Sequence, residues 1–316
     1  MKNILLVNAT TRNRGDEARL FAVMSQTDGE FIILNNSSFK IENQKNFKPI
    51  FDKIGKKDIL KAMLGFKNKI YWYFKNCDEV FDCSGYSLTS EHPIGTTVDS
   101  LLFILIARRF GKPITLKAQT FSPFDYKFPF NIIFKIIVPF IVAGNVKLEV
   151  RNYPSEENKL FFEKYFKKKI EFKRDVVLEV EQYSLDRIFT EKGLSEIQLI
   201  EIPKNTTIIV PNNKTFTKYP TLQTILQNKI NVLKGNGENV IILYTDLFDK
   251  SILVGGEHLT GLNCVEIEYV IKQAKKVIGL RYHSLIFAHK YKIPFETFGW
   301  TKKYDDFEKQ VIEEML

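Results

Sequence analysis

The chain lacks any apolar run long enough to cross a bilayer. Its longest greasy stretch, Ile132 to Ala143, carries Lys135 and stops well short of the roughly 20 residues that a spanning helix requires. That stretch reads as a buried helix, with shallow contact at a membrane surface as the alternative. Cysteine is scarce. Cys77, Cys83 and Cys264 are odd in number and match no zinc-ligand spacing, which excludes a disulfide framework and leaves small buried thiols in a reducing compartment. Histidines and carboxylates form no cluster at ligand spacing, so neither a metal nor another cofactor is expected. A complete G-x-G-x-x-G after the first strand is missing too. The chain has a net charge of +9 but no basic stripe interleaved with stacking aromatics, which argues against nucleic acid and for an anionic substrate or a membrane surface. The opening run Met1 to Val7 is too short for a secretory signal, and polar Asn8 and Thr10 follow at once. A soluble, cytoplasmic protein is expected.

What is present is a core-forming composition, 44% hydrophobic and 26% charged over 316 residues, enough for two domains of roughly 150 residues each. Short β-branched runs alternate with helical stretches, the pattern of an α/β fold with parallel strands and crossover helices. Strands are expected at Ile4–Val7, Glu79–Asp82, Ile114–Leu116 and Lys147–Val150, then at Thr207–Val210, Val240–Tyr244, Lys276–Gly279 and Phe295–Phe298. Helices are expected near Asp16–Ser25, Asp99–Phe110, Ser155–Phe166, Thr221–Leu233, Val265–Ala274 and Ser284–Tyr291. The charged, weakly patterned region from Glu181 to Asn205 marks a junction, giving two Rossmann-like domains at residues 1–185 and 186–316. Such halves place a ligand cleft outside the carboxyl ends of their strands, near the domain interface.

Several segments fall at those ends. In Asn13-Arg14-Gly15-Asp16-Glu17, Gly15 lets the backbone approach a ligand and the helix start favours an anion, while Asp16 could simply cap the helix. The Ser84-Gly85-Tyr86 turn is either a tight strand exit or a ligand contact. Lys117 and Gln119, with Pro123 beyond, end another strand. Arg151 ends the next, where its fork suits a carboxylate or phosphate, or else an interdomain ion pair. The most informative segment is Gly279-Leu280-Arg281-Tyr282-His283-Ser284. It sets an Arg and a His between a strand end and a helix start, where anion-binding donors concentrate. Lys302 and Lys303, after Trp300 and Thr301, follow the last strand.

Read in order, these segments resemble the polysaccharide pyruvyl transferase family. The carriers are Asn13 to Glu17, Ser84-Gly85, Gln119 with Pro123, Val150-Arg151 with Ser155, and Gly279 to Ala288 followed by Ile293-Pro294, Lys303 and Phe307. Asn152 stands where the family commonly has Asp, and fewer glycines follow Ser84 than is usual. The resemblance implies a GT-B-like pair of facing Rossmann-like domains, acceptor on the N-terminal side and phosphoenolpyruvate on the C-terminal side. It further implies transfer of a pyruvyl group from phosphoenolpyruvate to a saccharide, free or lipid-linked, of a cell-surface polysaccharide or its precursor. Arg151, Arg281 and His283 would hold the donor, with His283 as general acid or as donor to the leaving phosphate. Lys303 would offset phosphate charge. Asp16 would accept a hydroxyl proton or position the acceptor, and Asn13, Gly15, Gly85, Gln119, Tyr282 (mainly through its backbone) and Ser284 would line the site. The alternatives are a GT-B-type glycosyltransferase using a nucleotide-sugar, although no pair of Glu separated by seven residues occurs after Pro203, and a non-catalytic member.

Overall fold

The computed structural model describes residues 1–35, 46–122, 124–168, 170–246, 249, 252–298 and 302–315, with only the backbone at 302, 303 and 315. Pro123, Trp300 and Thr301 lie outside the described residues. The chain divides into two compact units. One comprises Met1–Thr10 and Arg19–Leu194, the other Thr11–Ala18 and Ser195–Leu316. The expected division at 185/186 therefore moves to Leu194/Ser195, and an eight-residue piece near the N-terminus goes with the second unit. Contiguity in sequence hid that exchange.

The first unit runs β1 (Asn3–Val7), α1 (Arg14–Gln26, begun in the second unit), β2 (Glu30–Asn35), β3 (Ile50–Lys53), α2 (Lys56–Leu64), α3 (Lys69–Asn76) and β4 (Glu79–Asp82). It continues with α4 (Ile94–Arg109), β5 (Ile114–Gln119), α5 (Phe130–Ile141), β6 (Val146–Val150), α6 (Glu156–Phe166), β7 (Glu171–Phe172), α7 (Leu185–Ile188) and α8 (Glu191–Ser195). The strands form one sheet of order β3-β2-β1-β4-β5-β6-β7, parallel throughout the described residues. Leu5 and Leu6 pair with Ile32 and Ile33 on one side and with Val80 and Phe81 on the other. Helices cover the sheet: Phe74, Phe103, Phe134, Phe162 and Phe166 join Leu5, Val80, Leu116 and Leu148 in one core. Burying each such side chain contributes about 1.5–3 kcal/mol. Asn68 caps α3 and Ser155 caps α6, each accepting a backbone N–H of the first turn.

The second unit runs β8 (Thr206–Val210), α9 (Asn213–Lys218), α10 (Pro220–Gly235), β9 (Asn239–Leu243), β10 (Glu257–Leu259), α11 (Cys264–Lys272), β11 (Lys276–Gly279), α12 (Tyr282–Lys290), β12 (Phe295–Thr297) and α13 (Lys302–Met315). Its parallel sheet has the order β10-β9-β8-β11-β12. Every residue of β8 is buried, which is why Thr-Thr-Ile-Ile-Val reads as a continuous run and not as an alternation. A complete capping box, Asn263 with Glu266, starts α11.

Each sheet reverses its winding once, at β1/β4 and at β8/β11. Loops leaving the carboxyl ends of strands diverge there and leave a crevice that suits a ligand. One expectation is overturned: α5, read as a buried helix, turns Ile132, Ile133, Ile136 and Phe140 to solvent. No helix of the described residues is long and apolar enough to cross a membrane.

Candidate functional site

In the second unit the winding reverses beside Gly279, the last residue of β11. A Cβ at Gly279 would lie 2.5 Å from Ser284 Oγ and 2.7 Å from Leu285 Cδ2, so only glycine lets the strand run this close to the first turn of α12. Three donors then fix the loop that follows. Asn212, which caps α9, and the Tyr304 hydroxyl donate to the Leu280 carbonyl at 3.2 and 2.9 Å, and Ser284 Oγ donates to the Arg281 carbonyl at 2.6 Å. Ser284 N–H bonds back to the Arg281 carbonyl at 3.1 Å, which tightens the first turn of α12, and the positive end of the helix dipole there favours an anion.

Arg281 donates through Nε to Asp249 Oδ2 at 3.2 Å, and its Nη1 lies 3.5 Å from Asp246 Oδ2. Asp246 also faces Arg12 Nε at 3.5 Å. Two guanidiniums and two carboxylates thus form a charge-balanced group at the ends of β9 and β11. The segment 11–18 completes the arrangement. Asn13 bridges to Asp246, and Arg14 donates its backbone N–H to the Thr245 carbonyl at 2.9 Å. Glu17 pairs with buried Arg14 at 2.9 Å and accepts the Cys264 N–H at 2.8 Å, capping α11. Burial pushes the Glu17 carboxyl up, against the pull of Arg14. Arg14 and Glu17 therefore anchor the segment.

That anchoring presses Gly15 onto His283. A Cβ at Gly15 would lie 2.0 Å from His283 Nδ1 and 2.3 Å from Cγ. Asn13 Oδ1 accepts the Gly15 N–H at 2.9 Å, which sets the turn, and half-buried Asp16 follows directly. Gly15→Ala is expected to drive the imidazole off this position. A displacement on the ångström scale costs about 10²-fold in kcat/KM. Steady-state kinetics and a melting curve check it; unchanged kinetics would mean that the ring's position is immaterial.

Of the residues singled out in the sequence, Asn13, Gly15, Asp16, Arg281, Tyr282, His283 and Ser284 fall together in the second unit. Tyr282 is buried, edge-on to His283, Tyr304 and Phe307, and supports the ring instead of lining a ligand site. Ser284 is buried and spends its hydroxyl on the Arg281 carbonyl. Lys303 sits near the start of α13, with its side chain outside the described residues.

Arg151, Gln119 and Gly85 belong to the first unit, and their surroundings correct the ligand-binding expectation. Arg151 is 4% exposed; Nε donates to Thr120 Oγ1 at 2.8 Å, Nη2 to the Gly85 carbonyl at 3.0 Å and Nη1 to Asp175. Asp175 also meets fully buried Arg19 at 3.4 Å. Arg19 donates to the carbonyls of Lys117 and Ala118 at 2.6 and 3.1 Å. Ala118 takes a φ of 37° at the register shift of β5 against β6. A Cβ at Gly85 would come within 3.2 Å of both arginines. Gln119, also fully buried, accepts from Ser87 and donates to Asp82 at 3.0 Å each. Asp82 further accepts from Asn8 Nδ2 and from Ser84 Oγ and N, and its burial pushes its carboxyl up. These groups brace the carboxyl edge of the first sheet.

Sequence reasoning missed Asp246, Asp249, Arg12 and Asn212. Asp246 follows closely on the strand expected to end at Tyr244, so the rule applied elsewhere, to inspect each strand's carboxyl end, would have found it.

No family model matches the sequence, and no curated protein matches it. Solved structures do. MnaA of S. aureus, in a co-structure with UDP, matches with a TM-score of 0.59 at 11% identity, over 100% of this chain and 87% of that one. UDP-GlcNAc 2-epimerase of Methanocaldococcus jannaschii, in complex with UDP-GlcNAc and UDP, matches with a TM-score of 0.53 at 13% identity, over 100% and 93%. Spinosyn rhamnosyltransferase SpnG, complexed with thymidine diphosphate, matches with a TM-score of 0.52 at 8% identity, over 99% and 84%. The fold is that of two Rossmann-like α/β units of the GT-B-like kind. The same matches, to nucleotide-sugar enzymes, overturn the expectation of pyruvyl transfer from phosphoenolpyruvate. The charges agree with that correction: Arg151 is committed to Asp175 inside the first unit, and Arg281 to Asp246 and Asp249.

Proposed function

We propose that the chain is an enzyme acting on a nucleoside-diphosphate sugar, with the nucleoside diphosphate as leaving group. The observation that carries this reading is the convergence at the β8/β11 switch point of the α12 N-terminus, His283 and a set of buried hydroxyls. Thr11, Thr215 and Thr245 have side-chain oxygens with no hydrogen-bond partner among the described residues. Buried polar atoms of that kind call for a partner, and a nucleotide's ribose and base edges supply several. The UDP, UDP-GlcNAc and thymidine diphosphate of the matched structures support the same ligand class.

In this reading the positive N-terminal end of α12 faces the diphosphate, and Arg281, balanced by its two carboxylates, holds the loop in place. As the bond from sugar C1 to the diphosphate oxygen breaks, its electron pair stays on that oxygen, and His283 donates a proton there. The oxygen of an incoming hydroxyl forms the new bond to C1, and Asp16, one residue from the Gly15–His283 contact, accepts that hydroxyl's proton.

Thermal melting in the presence of UDP, thymidine diphosphate, a UDP-sugar or phosphoenolpyruvate tests the ligand class. Saturation near 100 Kd adds about 2.7 kcal/mol, roughly 4 °C for 316 residues melting together. A nucleoside diphosphate or its sugar is expected to give that rise and phosphoenolpyruvate none. No rise with any nucleoside diphosphate would reject the reading.

A further inference from the structure

Helix α5 is apolar on nearly every side. Phe134 and Val138 point into the core of the first unit, with Ile137 and Ile141 beside them. On the opposite face Ile132, Ile136 and Phe140 recur at i, i+4 and i+8 and stand in solvent, Ile136 at 56% and Phe140 at 71% exposure. Phe128, just before the helix, is 78% exposed. An ordinary surface helix keeps polar groups on its outer face; one that is greasy all round is made for an apolar medium on both sides. The neighbours extend the surface: α4 packs on α5 and α2 on α4, and Leu64 and Phe66 at the end of α2 are exposed as well.

The charges around this face decide what covers it. Helices α2 to α5 carry eight Lys and Arg and two acids, Asp58 and Asp99. Asp99 is buried and faces Lys56 at 3.3 Å. Cations also ring the carboxyl end of α5: Arg108 donates to the Phe140 and Ile141 carbonyls, and Lys168 to those of Val142 and Gly144. Asp125 is an exposed acid nearby, and α6 carries acids and bases together. A second copy of this chain would set cation against cation across the contact. An anionic bilayer takes the apolar side chains below its headgroups and the lysines and arginines among them.

We infer that the outer face of α2, α4 and α5 is a docking surface for an anionic lipid bilayer, with Ile132, Ile136 and Phe140 inserted at the headgroup–acyl boundary. This surface lies in the first unit and does not depend on the reaction proposed for the second, so either assignment stands if the other fails.

The test is co-sedimentation of the full chain with vesicles of phosphatidylcholine alone or mixed with phosphatidylglycerol, in the absence of any substrate. Binding to the anionic vesicles is expected to be about tenfold stronger or more, and to weaken with salt. The double variant Ile136→Glu/Phe140→Glu changes solvent-facing positions only, so its melting temperature should match the parent while its binding is lost. Failure to pellet with either vesicle, or undiminished binding by the double variant, overturns the proposal. So does a concentration-dependent dimer abolished by those two substitutions without vesicle binding, which would assign the face to self-association.

Discussion

Asp175→Ala is expected to cost about 3–5 kcal/mol of stability, because it strips two buried guanidiniums of a carboxylate they share. Arg19 is fully buried and Arg151 is 4% exposed, so water cannot take the place of the missing charge. Neutral acceptors among their other partners include the carbonyls of Ser84, Gly85, Lys117 and Ala118 and the Thr120 hydroxyl. A loss of that size consumes much of the 5–15 kcal/mol that holds a typical domain together. Chemical denaturation of the intact chain measures it. The double variant Arg151→Met/Asp175→Ala, which removes one charge of each sign, should recover part of the loss, since it restores the balance around Arg19. A single-variant loss below about 1 kcal/mol would mean that the cluster is reached by solvent, against its burial.

His283→Ala is expected to lower turnover about 10²–10⁴-fold, the usual contribution of a proton donor in the transition state. The fold should survive, since the ring is half-buried and sits at a helix start, resting on Gly15 and edge-on to Tyr282. Because the proton moves only as the leaving group departs, kcat and kcat/KM should fall together with little change in ligand affinity. Kinetics with a nucleoside-diphosphate sugar, alongside the melting curve, separate this from damage. A variant that turns over like the parent would remove His283 from the chemistry and leave Asp16 and the α12 helix dipole to account for it.

Much of the architecture was legible because the central strands of a parallel sheet are buried on both faces. β1, β8, β9 and β11 carry unbroken apolar or β-branched runs, while β6 shows as the alternation Val-Lys-Leu-Glu-Val. The edge strands β3, β7 and β10 did not, since four residues or fewer, partly exposed, carry neither a run nor an alternation. β2 was different: Phe31 to Leu34 is a plain apolar run that could have been read and was passed over. Within the site, the loop from Gly279 to Ser284 announced itself by its residue types. Arg151 misled for a physical reason. A cation at a strand end looks like a ligand fork until its counter-ion is known, and Asp175 lies 24 residues further along the chain. Helix α5 misled likewise, because hydrophobicity is visible in a sequence but the side the fold leaves uncovered is not.

The transfer of residues 11–18 to the second unit puts the order of synthesis at odds with the order of folding. When Leu194 leaves the ribosome every other residue of the first unit exists, yet the first turn of α1 has nothing to dock on. Its anchors, the Thr245 carbonyl and the Cys264 N–H, emerge only after a further fifty to seventy residues. At roughly 5–20 residues per second, Arg14 and Glu17 wait several seconds as unburied charges. A fragment ending at 194 would keep that loose end permanently. Moving residues 11–18 behind Leu316 would require a rewired chain, so cutting this protein into its two halves at one bond leaves the first fragment with an undocked helix turn and the second without the wall against which its histidine rests.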